Sequence, residues 1–237
     1  MRVLALDSSG IVASVAVVED DTLVAEYTVN YKKTHSQTLL PMLDEIVKMT
    51  ELDLKTIDAI AVAKGPGSFT GLRIGSATAK GLGLALDKPL VGIPTVEALA
   101  YNLYDVNGLI CPIMDARRNQ VYAAFYMWEN DKLIRLTDHM AESIERVIEI
   151  AEMLEQEVIF LGDGVPVHRE RLEQNPAFLF APAHCNMQRA SAVAALGAIM
   201  AEEGLAKPGN AFELIYLRKS QAEREREARL AKEEAGE

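Results

Sequence analysis

One glycine-rich segment has the residue types and the position of a ligand-binding loop. It reads Lys64-Gly65-Pro66-Gly67-Ser68-Phe69-Thr70-Gly71-Leu72-Arg73-Ile74-Gly75 and joins a predicted strand to a predicted helix. Phosphate groups bind at such turns in many enzymes. A dinucleotide fingerprint, however, needs glycine at Thr70, a P-loop needs lysine at Leu72, and a nucleophile elbow needs glycine at both Pro66 and Thr70. The segment therefore matches none of these enzyme motifs.

The helix that follows carries a row of small residues along one face. The row consists of Gly67, Gly71, Gly75, Ala79 and Gly83, spaced four residues apart. Each glycine inside a helix costs roughly 0.5–1 kcal/mol relative to alanine, so the row indicates a close approach of another backbone. That neighbour is either the chain's own sheet or helix, or the matching helix of a second chain. Both contacts can hold at once.

Two acidic residues end apolar strands and are candidates for a ligand-binding cleft. Asp7 begins the turn Asp7-Ser8-Ser9-Gly10, and Asp115 follows the strand Ile110–Met114. If the two strands belong to facing lobes, then Asp7, Ser8, Ser9 and Asp115 mark a nucleotide cleft between them. The alternative is that both aspartates simply end strands and cap turns.

The histidines and cysteines do not form a metal-binding or nucleophilic pattern. His35, His139, His168 and His184 are too far apart for a His-Glu-x-x-His motif, and Cys111 and Cys185 form no spaced pair. The sequence therefore predicts no metal site, no cofactor and no metalloprotease activity.

The predicted elements repeat after 108 residues, the distance from Asp7 to Asp115. Each copy reads strand, aspartate, hairpin, helix, strand, which predicts a duplicated α/β domain with two lobes. We place the first lobe at residues 1–106 and the second at 107–213, with a C-terminal helix over about 214–237 placed against the first lobe. The predicted strands are Arg2–Leu6, Ile11–Val18, Leu23–Val29, Asp58–Ala63, Leu90–Ile93, Ile110–Met114, Gln120–Met127 and Val158–Leu161, and the predicted helices span His35 to Met49, the glycine row to Ala85, Thr95 to Tyr104, and Ser143 to Glu155.

Composition excludes several classes of protein. The chain has 237 residues, 24 of them basic and 35 acidic, and therefore a net charge of −11. Strong direct binding to nucleic acid requires clustered positive charge, and the basic residues of the tail are matched by glutamates. The longest apolar run, Ala192–Ala201, is too short to cross a membrane. We expect a cytoplasmic protein.

The segment Gly65–Gly75 closely resembles the TsaB family of bacterial tRNA threonylcarbamoyladenosine biosynthesis proteins, also called YeaZ. The resemblance continues over nearly the whole chain, in Leu4–Ser9, in His35-Ser36 with Leu39-Leu40-Pro41, in Pro94–Leu99, and in Tyr216-Leu217-Arg218 with Gln221-Ala222-Glu223. It implies the duplicated actin/Hsp70/sugar-kinase fold, which is ribonuclease H-like in each lobe.

The resemblance also implies a subunit without catalytic activity of its own. Members of the family resemble degenerate relatives of TsaD, which transfers a threonylcarbamoyl group to the adenosine next to the anticodon in tRNAs that read codons beginning with A. TsaD holds its metal with two helix histidines. Thr95 and Leu99 stand at the matching positions here, so the metal site is expected to be absent.

The partners implied by the resemblance are TsaD, as a heterodimer, and the ATPase TsaE, with a homodimer when TsaD is missing. The interface implied by the resemblance and by the glycine row comprises Gly65, Pro66, Gly67, Ser68, Phe69, Thr70, Gly71, Arg73, Ile74, Gly75, Ala79 and Gly83. The alternative hypothesis is an ATP-binding, kinase-like enzyme that uses the cleft between the lobes.

Overall fold

Alternating apolar residues at the start of the chain form the antiparallel part of a first sheet. The computed structural model describes residues 1–31 and 33–218. The strands of this sheet are β1 (Arg2–Asp7), β2 (Ala13–Glu19), β3 (Thr22–Val29), β4 (Ala59–Gly65) and β5 (Leu90–Pro94). Their order is β3-β2-β1-β4-β5, in which β4 and β5 are parallel to β1 and the other pairs are antiparallel.

A second sheet repeats this arrangement in the second half of the chain. Its strands are β6 (Leu109–Asp115), β7 (Gln120–Ala123), β8 (Tyr126–Glu129), β9 (Lys132–Arg135), β10 (Met140–Ser143), β11 (Val158–Leu161) and β12 (Phe178–Phe180). The order β10-β7-β6-β11-β12 has the same sequence of antiparallel and parallel pairs as the first sheet, and β8 and β9 add a hairpin at β6. The predicted duplicated α/β fold with two lobes is confirmed.

Helices cover both sheets. They are α1 (His35–Thr50), α2 (Phe69–Leu86), α3 (Thr95–Tyr101), α4 (Ile144–Met153), α5 (Gly164–Leu172) and α6 (Ala190–Glu202). Helices α1 and α2 pack on one face of the first sheet and α6 packs on the other. Helices α4 and α5 cover the outer face of the second sheet, and α3 lies between the sheets and contributes to a core shared by the lobes.

The chain returns to the first lobe much earlier than the sequence predicts. The second lobe was expected to continue to residue 213, but α6 packs on β1, β2 and β4, where Val193 and Ala194 are fully buried. Gly197 allows the close approach, since a Cβ there would lie 2.5 Å from the Cβ of Ala61. The start of α6 is tied to β3 because the backbone and hydroxyl of Ser191 both donate to Glu26.

Smaller differences have local causes. The predicted strand Gln120–Met127 is interrupted because the backbone amide of Phe125 donates to the Thr137 hydroxyl instead of to a neighbouring strand. Helix α3 ends at Tyr101 rather than Tyr104, and Pro94, not Thr95, is its N-cap residue. Residues 213–218 have no regular structure, and the remainder of the predicted C-terminal helix lies outside the described residues. No helix within residues 1–31 and 33–218 is long and apolar enough to span a bilayer.

Two glycines of α2 provide a matched test of its packing. A Cβ at Gly71 would lie 2.0 Å from the Ser8 carbonyl oxygen, whereas a Cβ at Gly81 would meet nothing within 4 Å. We expect Gly71→Ala to lower the free energy of unfolding by about 1–3 kcal/mol or more, since the backbones must separate. Gly81→Ala should raise it by roughly 0.5–1 kcal/mol through helix propensity alone. Urea unfolding of both variants measures the two values, and equal effects would contradict the assigned packing.

Candidate functional site

The glycine row of α2 faces the chain's own first lobe. Gly71, Gly75 and Gly83 are buried, and Ala79 is fully inaccessible. A Cβ at Gly75 would lie 2.5 Å from the Ser8 hydroxyl, and one at Gly83 would lie 3.0 Å from the Lys88 carbonyl. The row therefore packs within its own lobe, as the intramolecular alternative expects, and contact of these residues with a partner stays a prediction.

The glycines before the helix serve the same internal packing. At Gly65, which has φ +108°, a Cβ would lie 2.3 Å from the Ile215 carbonyl oxygen, and at Gly67 it would lie 2.4 Å from the Ser9 carbonyl oxygen. Pro66 is buried. Gly65, Pro66 and Gly67 are thus also packed within the monomer, and their role as partner contacts stays a prediction. Of the predicted interface residues, Ser68, Thr70 and Arg73 are exposed, and Gly67, Phe69 and Ile74 are half-buried.

The turn after β1 holds the start of α2 in place. Asp7, Ser8 and Ser9 are buried, and the Ser8 hydroxyl donates to the Gly71 carbonyl at 2.9 Å. The carboxylate Oδ1 of Asp7 accepts hydrogen bonds from the Ser9 amide at 2.8 Å and from its hydroxyl at 2.6 Å. The Ser68 amide in turn donates to the Ser9 carbonyl at 2.7 Å. Asp7, Ser8 and Ser9 are three of the four residues predicted to mark a nucleotide cleft, and all three therefore form hydrogen bonds within the chain.

A cavity of about 540 Å³ lies between the lobes beside this turn. Ser9 and the start of α2 line one side, and Asp115 and Asp163 line the other. Asp115 is exposed, and its amide donates to Asp163 Oδ1 at 3.0 Å. The predicted meeting of the two lobes beside Asp7 and Asp115 is therefore found, although only Asp115 of these two lines the cavity.

Asp163 is the most strongly perturbed carboxyl group that lines this cavity. Burial raises the pKa of Asp163 to about 6, the amide of Asp115 lowers it, and the charges of Asp115 and Asp7 raise it. Burial likewise raises the pKa of Asp7, against the lowering effect of its hydrogen bonds from Ser9. The cavity lining therefore has mixed charge, since Arg117 and Arg218 line it together with Asp115 and Asp163.

The end of the described chain crosses the cavity from one lobe to the other. The amide of Ile215 donates to the Lys64 carbonyl at 2.7 Å, and Arg218 donates to the Ala116 carbonyl at 2.9 Å. Between them, the Tyr216 ring lies 5.2 Å from Phe69, and its hydroxyl accepts a 3.3 Å hydrogen bond from Arg73. In the sequence, Tyr216 stood out only as part of the motif Tyr216-Leu217-Arg218. Nothing in its spacing indicated a contact with α2.

Two further site residues were missed by sequence analysis. Asp163 lies in the loop Gly162-Asp163-Gly164 directly after β11, and no spacing in the sequence indicated its contact with Asp115. Gln188 is almost fully buried, its amide has no hydrogen-bond partner within the described part of the chain, and its Nε2 would lie 2.7 Å from a Cβ at Gly10. No pattern in the sequence indicated Gln188.

Thr95 and Leu99 stand where the resemblance implies the metal ligands of the related transferase. Both are buried, and Leu99 packs in the core between the lobes with Ile110 and Met114. A hydroxyl and an alkyl group do not replace two imidazole ligands, so these residues do not fit the metal. No group of three or more histidine, cysteine or acidic side chains able to hold an ion is found among residues 1–31 and 33–218.

The outer surface of α1 and α2 is accessible. The Ser68 amide donates to Ser9, and the His35 ring donates to the Gly10 carbonyl at 2.9 Å, so both helices start at one turn and run side by side. The outer side of α1 carries the charged residues Asp44, Glu45 and Lys48, whereas the outer side of α2 is mostly small or apolar. We call the exposed side of α2 the docking face; it consists of Thr70, Arg73, Ala77, Gly81 and Leu84. Leu84 is 88% exposed, and an exposed apolar side chain of this size beside small residues is typical of an interaction surface.

The raised pKa of Asp163 predicts a pH-dependent difference between the wild-type chain and Asp163→Asn. The folded carboxyl has a pKa of about 6 and the unfolded one 3.8, so between these values the folded state binds more protons. The wild-type stability should fall as pH rises through this interval and then level off. The amide oxygen of the variant still accepts the Asp115 amide, so the variant lacks only this titration.

Urea unfolding at several pH values between about 4 and 7.5 tests this prediction. The advantage of Asp163→Asn over wild type should grow from pH 4 to pH 6 and then remain constant. A difference independent of pH would show that burial of Asp163 is not coupled to folding.

Comparison with known proteins identifies the family. The family model of TsaD, tRNA N6-adenosine threonylcarbamoyltransferase, matches residues 22–225. The tRNA threonylcarbamoyladenosine biosynthesis protein TsaB of Bacillus subtilis is 35% identical over 173 residues, which cover 73% of this chain and 76% of that protein. TsaB of Escherichia coli is 38% identical over 128 residues, which cover 53% of this chain and 55% of that protein.

A solved structure supports the same assignment over a larger part of the chain. The crystal structure of an uncharacterized Pseudomonas aeruginosa protein, described as similar to peptidase YeaZ, superimposes with a TM-score of 0.79 at 26% identity. The superposition covers 92% of this chain and 99% of the Pseudomonas aeruginosa chain. The fold, the family model and the relatives agree with the glycine-rich motif, and the chain belongs to the TsaB (YeaZ) family of tRNA threonylcarbamoyladenosine biosynthesis proteins.

Proposed function

We propose that this protein is a subunit without catalytic activity of its own that binds TsaD and activates it. With the ATPase TsaE, the complex transfers the threonylcarbamoyl group to the adenosine next to the anticodon in tRNAs that read codons beginning with A. The observation that carries this proposal is the docking face, an exposed surface of mostly small and apolar side chains on α2, whose inner side is fixed within the lobe.

The composition of the docking face supports helix-to-helix contact with a partner. Ala77 and Gly81 have little or no side chain, so a partner helix can approach the backbone of α2 closely, and a Cβ at Gly81 meets nothing within 4 Å. Leu84 supplies apolar area at the end of α2. Arg73, stacked 4.0 Å above the Phe69 ring, adds a residue type that is enriched at binding hot spots.

The residues between the lobes support the absence of catalysis by the chain alone. Thr95 and Leu99 do not offer metal ligands, and Asp7, Ser8 and Ser9 hold the start of α2. We therefore assign the chemistry of the reaction to TsaD and a positioning role to this chain. In the absence of TsaD, we expect the same docking face to form a homodimer.

The interface is tested with Leu84→Glu and the matched control Leu179→Glu. Leu179 is an exposed leucine of β12 on the second lobe, 40% accessible. A charge at Leu84 should weaken binding to TsaD by about tenfold or more, since it must be desolvated at the contact. The control should bind like wild type. Binding is measured by co-elution and titration calorimetry, and circular dichroism verifies folding.

The role in the reaction is tested by reconstitution. TsaD, TsaE and the enzyme that forms threonylcarbamoyl-AMP are combined with wild-type chain, Leu84→Glu or Leu179→Glu, and modified tRNA is measured. We expect modification with wild type and the control and its loss with Leu84→Glu. Undiminished binding of Leu84→Glu to TsaD would refute the docking face, and undiminished modification without any chain would refute activation.

The alternative, an ATP-binding kinase-like enzyme, has one observation in its favour, the cavity of about 540 Å³ between the lobes. The internal bonding of Asp7, whose Oδ1 accepts hydrogen bonds from the amide and hydroxyl of Ser9, opposes it. We expect calorimetric titration of the lone chain with Mg-ATP to show no tight binding. Tight binding that is abolished by Asp115→Asn would favour the alternative.

A further inference from the structure

A second cavity lies at the edge of the first sheet, with no docking face residue in its lining; Ile215 lines both this cavity and the one between the lobes. The second cavity has a volume of about 290 Å³ and lies along β5, where the chain after α6 passes the edge strand. Its lining is partly apolar and partly basic. The apolar residues are Leu90, Met200, Leu205 and Phe212, and the basic residues are Lys64 and Lys207. We call it the Lys64 crevice.

The two lysines of the crevice are not neutralised by contact with other side chains. Lys64 is half-buried, and burial lowers the pKa of its ammonium group. The charge of Lys207 lowers that pKa further, so the two ammonium groups repel each other. Within residues 1–31 and 33–218, neither lysine has an acidic oxygen within 4.0 Å of its side-chain nitrogen.

Two glutamates lie near these lysines but compensate them incompletely. The charge of Glu97 raises the pKa of Lys64. Burial raises the pKa of Glu97 itself, and Arg135 as well as Lys64 interacts with the Glu97 carboxylate and lowers that pKa. Glu213 lines the crevice and is exposed to water. A half-buried ammonium group that lacks a close counterion is stabilised when an anion binds beside it.

The shape of the crevice is fixed by the backbone. Lys207 forms two backbone hydrogen bonds with Leu90, of 2.7 and 2.8 Å, which hold this stretch against the edge of β5. Gly92 leaves room for the Lys64 stem beside the Phe212 ring, since a Cβ there would lie 2.8 Å from Lys64 Cδ and 3.0 Å from the ring. The site is therefore formed before any ligand arrives, which reduces the entropy cost of binding.

We propose that the Lys64 crevice binds a small organic anion, with the charged group between Lys64 and Lys207 and an apolar body against Met200 and Leu205, two accessible apolar residues of its lining. The volume of about 290 Å³ is near the lower limit for small-molecule sites, about 300 Å³. The body is therefore no larger than one substituted aromatic ring. A carboxylate and a phosphate ester offer the same charge to two ammonium groups, and the experiment separates them.

The test uses benzoate, phenyl phosphate and the uncharged benzyl alcohol as probes of the full chain. Binding is followed by nuclear magnetic resonance shifts of the amides around Gly92 and Lys207. At least one anion should bind at least about tenfold more tightly than benzyl alcohol. A ratio of about ten between dissociation constants is what one hydrogen bond to a charged group contributes to binding. The tighter of the two anions identifies the charged group of the ligand.

Three variants locate the binding. Lys64→Met keeps the stem and removes the charge, and Lys207→Met does the same at an exposed position where folding is not at risk. Each should weaken binding of the anion by about tenfold. Lys55→Met, which removes an exposed charge elsewhere, should leave binding unchanged. The proposal is overturned if neither anion binds better than benzyl alcohol, or if Lys207→Met binds as tightly as wild type.

Discussion

The close approach between α2 and the turn after β1 determines much of the first lobe. With only hydrogen at Gly71 and Gly75, the helix lies directly against Ser8, where any side chain would collide. The serine hydroxyl then donates to the helix carbonyl at Gly71, so the contact is polar as well as tight. Glycine is unfavourable inside a helix, and the packing of the turn against the helix offsets that cost.

Fixing the inner side of α2 leaves its outer side available for a different task. The turn holds the start of the helix through Ser68, and Gly83 rests near Leu90 at its end. Ala77, Gly81 and Leu84 consequently point away from the lobe. One helix thus combines an internal face that admits no change in size with an external face that no described residue covers.

The sequence predicted the order and the kind of most elements, because each strand is a short apolar run and each helix has a 3.6-residue period. It did not predict which side of α2 is internal, since Gly71 and Gly75 on one side and Ala77 and Gly81 on the other are equally small. It did not place α6 either. The run Ala192–Ala201 is apolar on all sides, and its position along the chain does not show which sheet it covers. Contacts such as Gln188 with Gly10 depend on the assembled lobes and leave no local pattern.

The placement of α6 has a consequence for synthesis of the chain. Val3, Ala5 and Ala61 are fully buried on the face of the first sheet that α6 covers. When the ribosome has completed only the first 188 residues, this face lacks α6, and the second sheet is finished first. Completion of the amino-terminal lobe therefore waits until α6 has been synthesised, and a fragment cut between the lobes exposes an aggregation-prone apolar surface to water.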